Sequence, residues 1–542
     1  MIINNVVDGG PALRLPAHLS LGQHVIDSLR ANSEADDLAL VNGDTGEETT
    51  YSQVLQGTVD VAVGLARLGL RRGDTAALCG ENRVEYMYAA LGAICCGATM
   101  TTMNLMYSKD ELLHALGLSR PRFVFASQVA LSIHLETFKS YPSIEKIIQI
   151  DGDTPVDSGV LLLSNVAVAG SDVHGYEPAH VEGHTDTAFI LYSSGTTGLP
   201  KGVMLTHKNM LYSVAMFEER DSIRTRLLSI VPWFHAYGLM STINYLIVKN
   251  LLVYFSGGFD PQKYLQTIQD YKICVLMAVP PIVVFLGKAP IVEQYDLSSV
   301  EVVWCGAAPL TSETIQAALK RLPKCKGIYQ AYGMTETSLA ATRDEYDAGF
   351  PLKAGSGGYP VPGVKVKVVD IETRQKLGTN QNGEICIKGP IIMKGYIGNE
   401  VETKDMVDEE GYLKTGDIGY YDSDGCFFIV DRLKELIKYK GYQVAPAAVE
   451  SVILQHSGVA ECGVVGAPDD SAGELPTAFV VPKPGVKITE KEILDFTKPK
   501  LSSSSRLHGG VIIVSEIPKN PSGKILRRLL KEQLLQRTKS KL

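Results

Sequence analysis

Short apolar runs alternate with amphipathic helical stretches along most of this chain, and that alternation constrains the fold more than any other feature. "TAALCG" is followed by "RVEYMYAALGAICCGA", and "CVLMAVPP" is flanked by "QKYLQTIQDY". Such β/α alternation predicts an α/β fold in which a mostly parallel sheet is covered by helices. At 542 residues the chain is too long for a single core, so at least two domains are expected.

The texture changes at about 355–430. There "VKVKVVD", "GEICIKG" and "CFFIV" are short strands separated by Gly, Asn and Asp turns, which predicts a β-rich subdomain within a large N-terminal domain of residues 1–431. The two domains are expected to meet near Asp431–Lys434. In "DRLKELIKYKGYQVAPAAVESVILQH", Val449, Val452 and Ile453 recur at helical spacing. Strands "ECGVVGAP", "TAFVVPK" and "GGVIIVSEIP" and helix "EKEILDFTK" then predict a small α+β C-terminal domain over 436–542. No internal repeat is found.

Composition removes several classes of function. The formal charge is −8 and the pI 5.8, whereas a nucleic-acid backbone binder usually carries a basic face. Nine cysteines, an odd number with no C-x-x-C, predict buried thiols in a reducing compartment. Eleven histidines without H-E-x-x-H spacing argue against a zinc enzyme. "MIINNVVDGG" has neither the basic start nor the apolar run of a signal peptide. Ala89–Tyr107 is diluted by Thr, Gly and Asn, and Ile273–Gly287 is short and carries Pro280 and Pro281, so both are expected to be buried strand and helix and no integral membrane segment is expected. Ser540-Lys541-Leu542 reads as a peroxisomal address, recognised by an import receptor, on a basic helical tail.

The chemistry-bearing stretch is "YSSGTTGLPKGVMLTH", Tyr192 to His207. Ser193, Ser194, Thr196 and Thr197 offer hydroxyls, Gly195 and Gly198 let backbone N–H groups approach phosphate oxygens, and Lys201 adds a mobile charge. It is not a Walker A loop, because the spacing from Gly195 puts Pro200 where glycine is required. Glu336, in "QAYGMTET", is a candidate Mg²⁺ ligand with Thr335 as a phosphate-binding hydroxyl. Asp417, in "LKTGDIGYYD", follows a Thr-Gly turn where a carboxylate can accept both ribose hydroxyls. Singly, these are also ordinary loops and acidic turns.

In this order the motifs "SSGTTGLPKG", "YGMTE", "YLKTGD", "DRLKELIKYKGYQVAPAAVE" and "PKNPSGKILRR" resemble the adenylate-forming superfamily of acyl- and aryl-CoA synthetases, 4-coumarate–CoA ligases and beetle luciferases, across almost the whole chain. The resemblance implies ATP, Mg²⁺ and coenzyme A as reactants and a carboxylic acid as substrate. It implies that the glycine-rich loop holds the leaving pyrophosphate. Gln330, Tyr332, Gly333 and Thr335 would bind adenine and α-phosphate, Glu336 would bind Mg²⁺, and Asp417 and Arg432 would hold ribose. Lys524 would bridge the acyl carboxylate and α-phosphate during adenylation, while Lys438, with Gln443 nearby, would serve the second step. Lys440 and Gly441 would contact coenzyme A, and Lys434 falls in the hinge, residues 432–435. His235 would contact the acyl group and gate coenzyme A, and Phe234, Tyr237, Gly306, Ala307, Ala308 and Leu339 would line the acyl pocket.

The motif set together with the S-K-L terminus is similar to the insect branch that contains the luciferases. Leu339 and Phe234 stand where those enzymes tend to carry serine and a second histidine, and both make the pocket more apolar. The expectation is a peroxisomal fatty acyl-CoA synthetase, with an aryl-CoA ligase and then a luciferase as alternatives. A catalytically silent nucleotide binder on the same fold is the reading from another class. It is disfavoured because Glu336, Asp417, Lys438 and Lys524 are all present.

Overall fold

The computed structural model describes residues 1–35, 37–194, 199–218, 225–306, 310, 312–344, 352–440, 442–469, 471–519 and 524–539, with the side chains of Ser194, Glu218, Thr538 and Lys539 left aside. The protein has an α/β fold, with a large N-terminal domain and a small C-terminal one. Two sheets dominate the large domain. In one of eight strands, Thr99–Met103, Thr75–Cys79, Phe123–Ala126, Lys146–Gln149 and Val160–Leu162 run parallel, and Thr187–Ser194 joins them on the other side. In the other, of nine strands, the parallel centre runs from Gly327–Tyr332 through Val302–Cys305, Val275–Ala278, Arg226–Ser229 and Leu251–Tyr254 to Leu38–Asn42.

Between them lie helices that are apolar on nearly every side, as helices covered on both faces must be. In Ala236–Ile247 every residue but Tyr237 is buried, and Val84–Cys95 is buried almost throughout. These helices share one core with the helix Tyr51–Arg67 and with inner strand residues such as Leu78, Phe125, Leu191 and Tyr254. Ala89–Tyr107 and Ile273–Gly287 are each resolved into buried helix and strand, as their composition requires. Among the described residues, no helix is long and apolar enough to cross a membrane.

The third sheet, of six antiparallel strands, contains Lys365–Val369, Gly383–Lys388, Leu413–Tyr421 and Phe427–Arg432. It departs from the expected subdomain in two ways. The N-terminal hairpin Ile2–Ile3/Val6–Asp8 completes one of its edges, an addition with no local sequence signal. Tyr359–Pro360 and Gly395–Tyr396, inside the same stretch of chain, extend the nine- and eight-stranded sheets instead. The β-rich region is therefore stitched into both large sheets. A five-stranded sheet forms the small domain, with strand Val511–Ile513 parallel to Gly473–Pro482 and helix Pro446–Ile453 where Val449 and Ile453 predict it.

The start of helix Ala236–Ile247 sits at a close backbone contact. A Cβ on Gly238 would lie 2.2 Å from the Pro232 carbonyl oxygen. Gly238→Ala is expected to lower stability by about 1–3 kcal/mol, as forced overpacking does. Urea unfolding checks it, and an unchanged midpoint would show that the helix start can shift at no cost.

Candidate active site

Three sheets bring their functional residues to one place. Strand Thr187–Ser194 ends at the glycine-rich loop, strand Gly327–Tyr332 ends at the "YGMTE" turn, and strands Leu413–Tyr421 and Phe427–Arg432 supply two opposed charges. Ligand crevices of open α/β sheets lie outside such carboxyl ends.

Tyr332 joins two of the sheets directly. Its hydroxyl donates to Asp417 Oδ2 at 2.7 Å, and Arg432 Nε lies 3.3 Å from Asp417 Oδ1. Asp417 and Arg432 are also register partners on adjacent strands. The carboxyl is buried because the Thr415–Gly416 turn folds it inward: Gly416 has φ +70°, and the Asp417 N–H donates to Thr415 Oγ1 at 3.0 Å. Burial raises the Asp417 pKa, while Arg432, the Tyr332 hydroxyl and Lys524 pull it back. The "TGD" triplet is thus a built acceptor.

Glu336 is 4% exposed and is held from two sides. Ser193 Oγ donates to its Oε1 at 2.9 Å and Tyr396 Oη to the same oxygen at 2.8 Å. Among the described residues no group of three or more His, Cys, Asp or Glu clusters to hold a metal. A divalent cation at Glu336 would take its remaining ligands from phosphates and water, as Mg²⁺ ordinarily does. A single fixed hard carboxylate, held by Ser193 and Tyr396, fits that ion.

The turn that carries Glu336 is packed tightly. A Cβ on Gly333 would lie 1.6 Å from the Leu339 carbonyl oxygen, so only glycine fits. Opposite it, Leu339 holds φ +128° and Ser338 φ +55°, conformations that L side chains rarely adopt. Backbone held this way clusters at functional sites. Ser338 anchors the turn by donating to the Ile391 carbonyl at 2.7 Å.

Next to this turn an apolar cavity opens. Its wall includes His235, Tyr237, Gly306, Gly333, Thr335 and Leu339, all singled out from the sequence. Phe234 is not in that wall. Its ring sits edge-on to His235 and its carbonyl accepts from Thr102 Oγ1 at 2.7 Å. His235 caps the helix Ala236–Ile247 with extended backbone, and its Nδ1 is buried without a hydrogen-bond partner. Burial, and then the charge of Lys524, hold its pKa below the usual value, so the ring is neutral.

Lys524 of the small domain lies within electrostatic reach of His235, Asp417, Arg432 and Glu435. Its ammonium is pushed down to about 8, by burial first and then by Arg432, against the pull of Glu435 and Asp417. Arg527, three residues on, anchors it by pairing with Glu450 at 3.0 Å and Glu435 at 3.2 Å. Lys438 and Gln443 are register partners in the hairpin Ile437–Tyr439/Tyr442–Val444, and both are exposed. Lys440 has φ +47° and lies over the Tyr439 ring, and Lys434 is exposed.

Lys201 reaches Glu402 and lies 5.2 Å over the Tyr396 ring. Gln330 Oε1 accepts from the Leu310 N–H at 3.2 Å, and its own N–H donates to the buried Asp344 at 2.8 Å. Gly195, Thr196, Thr197, Ala307, Ala308, Gly441 and Ser540-Lys541-Leu542 lie outside the described residues, as does the Ser194 side chain. Tyr396, Glu402, Arg343, Phe217 and Tyr245 belong to the site's surroundings and carry no motif. Only their burial or pairing in three dimensions reveals them.

Two family models match the chain in sequence order, the AMP-binding enzyme model over residues 28–397 and the AMP-binding enzyme C-terminal domain over 448–524. The chain belongs to the AMP-binding enzyme family. It is an AMP-forming acid–CoA ligase of that family. It is 40% identical to 4-coumarate–CoA ligase 1 of Petroselinum crispum, over 97% of this chain and 96% of that one. It is 39% identical to luciferin 4-monooxygenase of Nipponoluciola cruciata, over 92% and 91%. The solved structure of ATP-bound MatB from Rhodopseudomonas palustris superposes with a TM-score of 0.84 at 27% identity, covering 94% of this chain and 98% of that one. In this AMP-binding enzyme the site therefore combines two buried carboxylates, Glu336 and Asp417, with a lysine of the small domain, Lys524.

The depressed Lys524 ammonium can be titrated directly. Carbon-13 reductive methylation followed by NMR is expected to show one lysine with a midpoint near about 8. A midpoint near the ordinary 10.5 would mean that Lys524 is not enclosed by the site.

Proposed function

We propose that the protein activates a medium- or long-chain fatty acid through an acyl-adenylate to acyl-CoA, releasing AMP and pyrophosphate. The observation that carries this reading is the apolar cavity beside His235 and Leu339, whose wall includes Met216, Phe217, Met277 and Val279. Each buried methylene is worth roughly 0.8 kcal/mol, so such a wall favours an aliphatic tail. Apolar contacts reject neighbouring chain lengths only weakly, so a range of acids is expected.

In the first step a carboxylate oxygen attacks the α-phosphate of ATP, a P–O bond forms and pyrophosphate leaves. Lys524, in its protonated form, holds the carboxylate against the α-phosphate, and the site works chiefly by alignment and charge neutralisation. Asp417 and Arg432 hold the ribose, and Thr335 with the glycine-rich loop takes the phosphates. Glu336 would hold Mg²⁺, which supplies charge neutralisation at the phosphates when bound. In the second step the coenzyme A thiolate attacks the adenylate carbonyl, the C–O bond to phosphate breaks and AMP leaves. Lys438, with Gln443, acts there after the small domain has turned about Lys434. Lys440 and Gly441 meet coenzyme A. Ser540-Lys541-Leu542 directs the protein to the peroxisome through its import receptor.

The likeness to a parsley 4-coumarate–CoA ligase favours a second reading, an aryl-CoA ligase, and Tyr237, Tyr245 and Trp304 in the cavity wall are compatible with a ring. Mass spectrometry after incubation with ATP, Mg²⁺, coenzyme A and a pool of fatty acids and hydroxycinnamates separates the two. Aliphatic acyl-CoA with AMP is expected. Cinnamoyl-CoA products alone would make it an aryl ligase, and the absence of any aliphatic thioester would overturn the fatty-acid reading.

The division of labour between the lysines has its own test. Lys524→Ala is expected to reduce adenylate formation at least a hundredfold while conversion of supplied acyl-adenylate to acyl-CoA stays largely intact. Lys438→Ala should show the converse. Equal loss of both half-reactions in either variant would contradict the two-pose account.

A further inference from the structure

We propose that Glu402 sets how loosely the leaving pyrophosphate is held, because its carboxylate competes with phosphate oxygens for the Lys201 ammonium. The proposal rests on the reading of Lys201 and the glycine-rich loop as the pyrophosphate site, and it names the residue that opposes them. Glu402 acts through Lys201 and is a positioning residue.

Lys201 belongs to a connected set of contacts. It is the register partner of Ser193 across the hairpin Thr187–Ser194/Pro200–Thr206, whose connection is the glycine-rich loop. Ser193 Oγ donates to Glu336 Oε1, and Tyr396 Oη donates to the same oxygen. The Lys201 ammonium lies 5.2 Å from the centre of the Tyr396 ring, and it donates to Glu402 Oε1. Glu402 is set in place without the lysine. It lies on the short helix Glu400–Asp405, where its N–H donates to Asn399 Oδ1 at 3.1 Å and its Oε2 accepts from Asn399 Nδ2 at 2.9 Å. The segment before that helix is tied to the strand of Lys201: Tyr396 pairs with Val203, and the Ile397 N–H donates to the Gly202 carbonyl at 2.8 Å. The fold itself thus brings the carboxylate to the lysine.

Phosphate and carboxylate oxygens both accept charge-assisted hydrogen bonds, and Lys201 is one point charge between them. When pyrophosphate takes the ammonium, Glu402 Oε1 gives up its cation, and that loss is subtracted from the binding. Where one ammonium serves both partners, the carboxylate still cancels its charge and repels the diphosphate. The two side chains are 17% and 31% exposed, so the pair is screened less than one on open surface. When pyrophosphate departs, the Lys201–Glu402 pair closes again, which favours release. Pyrophosphate is also what returns an acyl-adenylate to ATP. Weak retention therefore drives the first step forward.

The test is calorimetric binding of inorganic pyrophosphate to the full-length protein at fixed Mg²⁺ and without any carboxylic acid, so it does not depend on which acid is the substrate. Glu402→Gln and Glu402→Ala are each expected to bind about three- to tenfold tighter than wild type, the scale of a partly exposed ion pair. Glu402→Asp, which keeps the charge, should gain less than either. In a Lys201→Met background most of the gain from Glu402→Gln should vanish, as coupled neighbours require. Unchanged or weaker binding in folded Gln and Ala variants overturns the role of Glu402. A full gain without Lys201 overturns its action through that lysine. Wild-type binding in Lys201→Met alone overturns the phosphate reading of Lys201, and this proposal with it.

Discussion

The hydrogen bond from Tyr332 to Asp417 is the contact on which the site depends. It joins the last residue of a strand in the nine-stranded sheet to the antiparallel sheet that leads to the small domain. The same carboxylate faces Arg432, the last residue of the next strand, so the chain enters the small domain directly from this buried pair. Leu433 then bonds back to the Gly416 carbonyl at 2.8 Å, which fixes where the chain leaves the sheet. Breaking the Tyr332 contact would leave a buried carboxylate with one partner fewer, and a buried group left short of partners costs about 1–3 kcal/mol. The pairing of sheets and the placing of the buried carboxylate are therefore served by one oxygen–oxygen contact.

Electrostatics explain the state of Lys524, which the small domain contributes to a buried site. Its ammonium is held near two carboxylates, Asp417 and Glu435, and against two guanidinium groups, Arg432 and Arg527. Burial and the two cations push its pKa down, and the carboxylates prevent a deeper fall. Below about pH 8 it is charged, and as the pH rises through that value the charge is lost. Added phosphate charge would favour the protonated form, so the lysine is most firmly charged when nucleotide is present. His235, by contrast, is kept neutral by burial and by the same lysine. One cation and one neutral ring thus lie within electrostatic reach of each other.

The order of motifs was enough to reach the family, because each motif is a local string whose chemistry is fixed by residue type. Ser193, Tyr332, Glu336, Asp417, Arg432 and Lys524 do converge, although they are scattered over more than 300 positions of the chain. What stayed hidden has no local signal. The N-terminal hairpin completes a sheet made by residues far away, and only long-range pairing places it. Tyr396 holds Glu336 from an edge strand two residues long. Phe234 was expected in the cavity from the family resemblance, but extended backbone alternates side chains, and it turns away. Arg343 belongs to no motif, and the strand pairing of Ala331 with Arg343 brings it to the pocket.

The central claim is that this site joins a carboxylic acid to AMP before any thioester forms. A heavy-oxygen label in both carboxylate oxygens of a fatty acid tests it most directly. During turnover with ATP, Mg²⁺ and coenzyme A, one labelled oxygen should appear in the phosphate of the released AMP, and the acyl-CoA should keep the other. Unlabelled AMP alongside acyl-CoA would mean that the carboxylate never attacks the α-phosphate. The roles given to Lys524, Asp417 and Glu336 would then have to be abandoned.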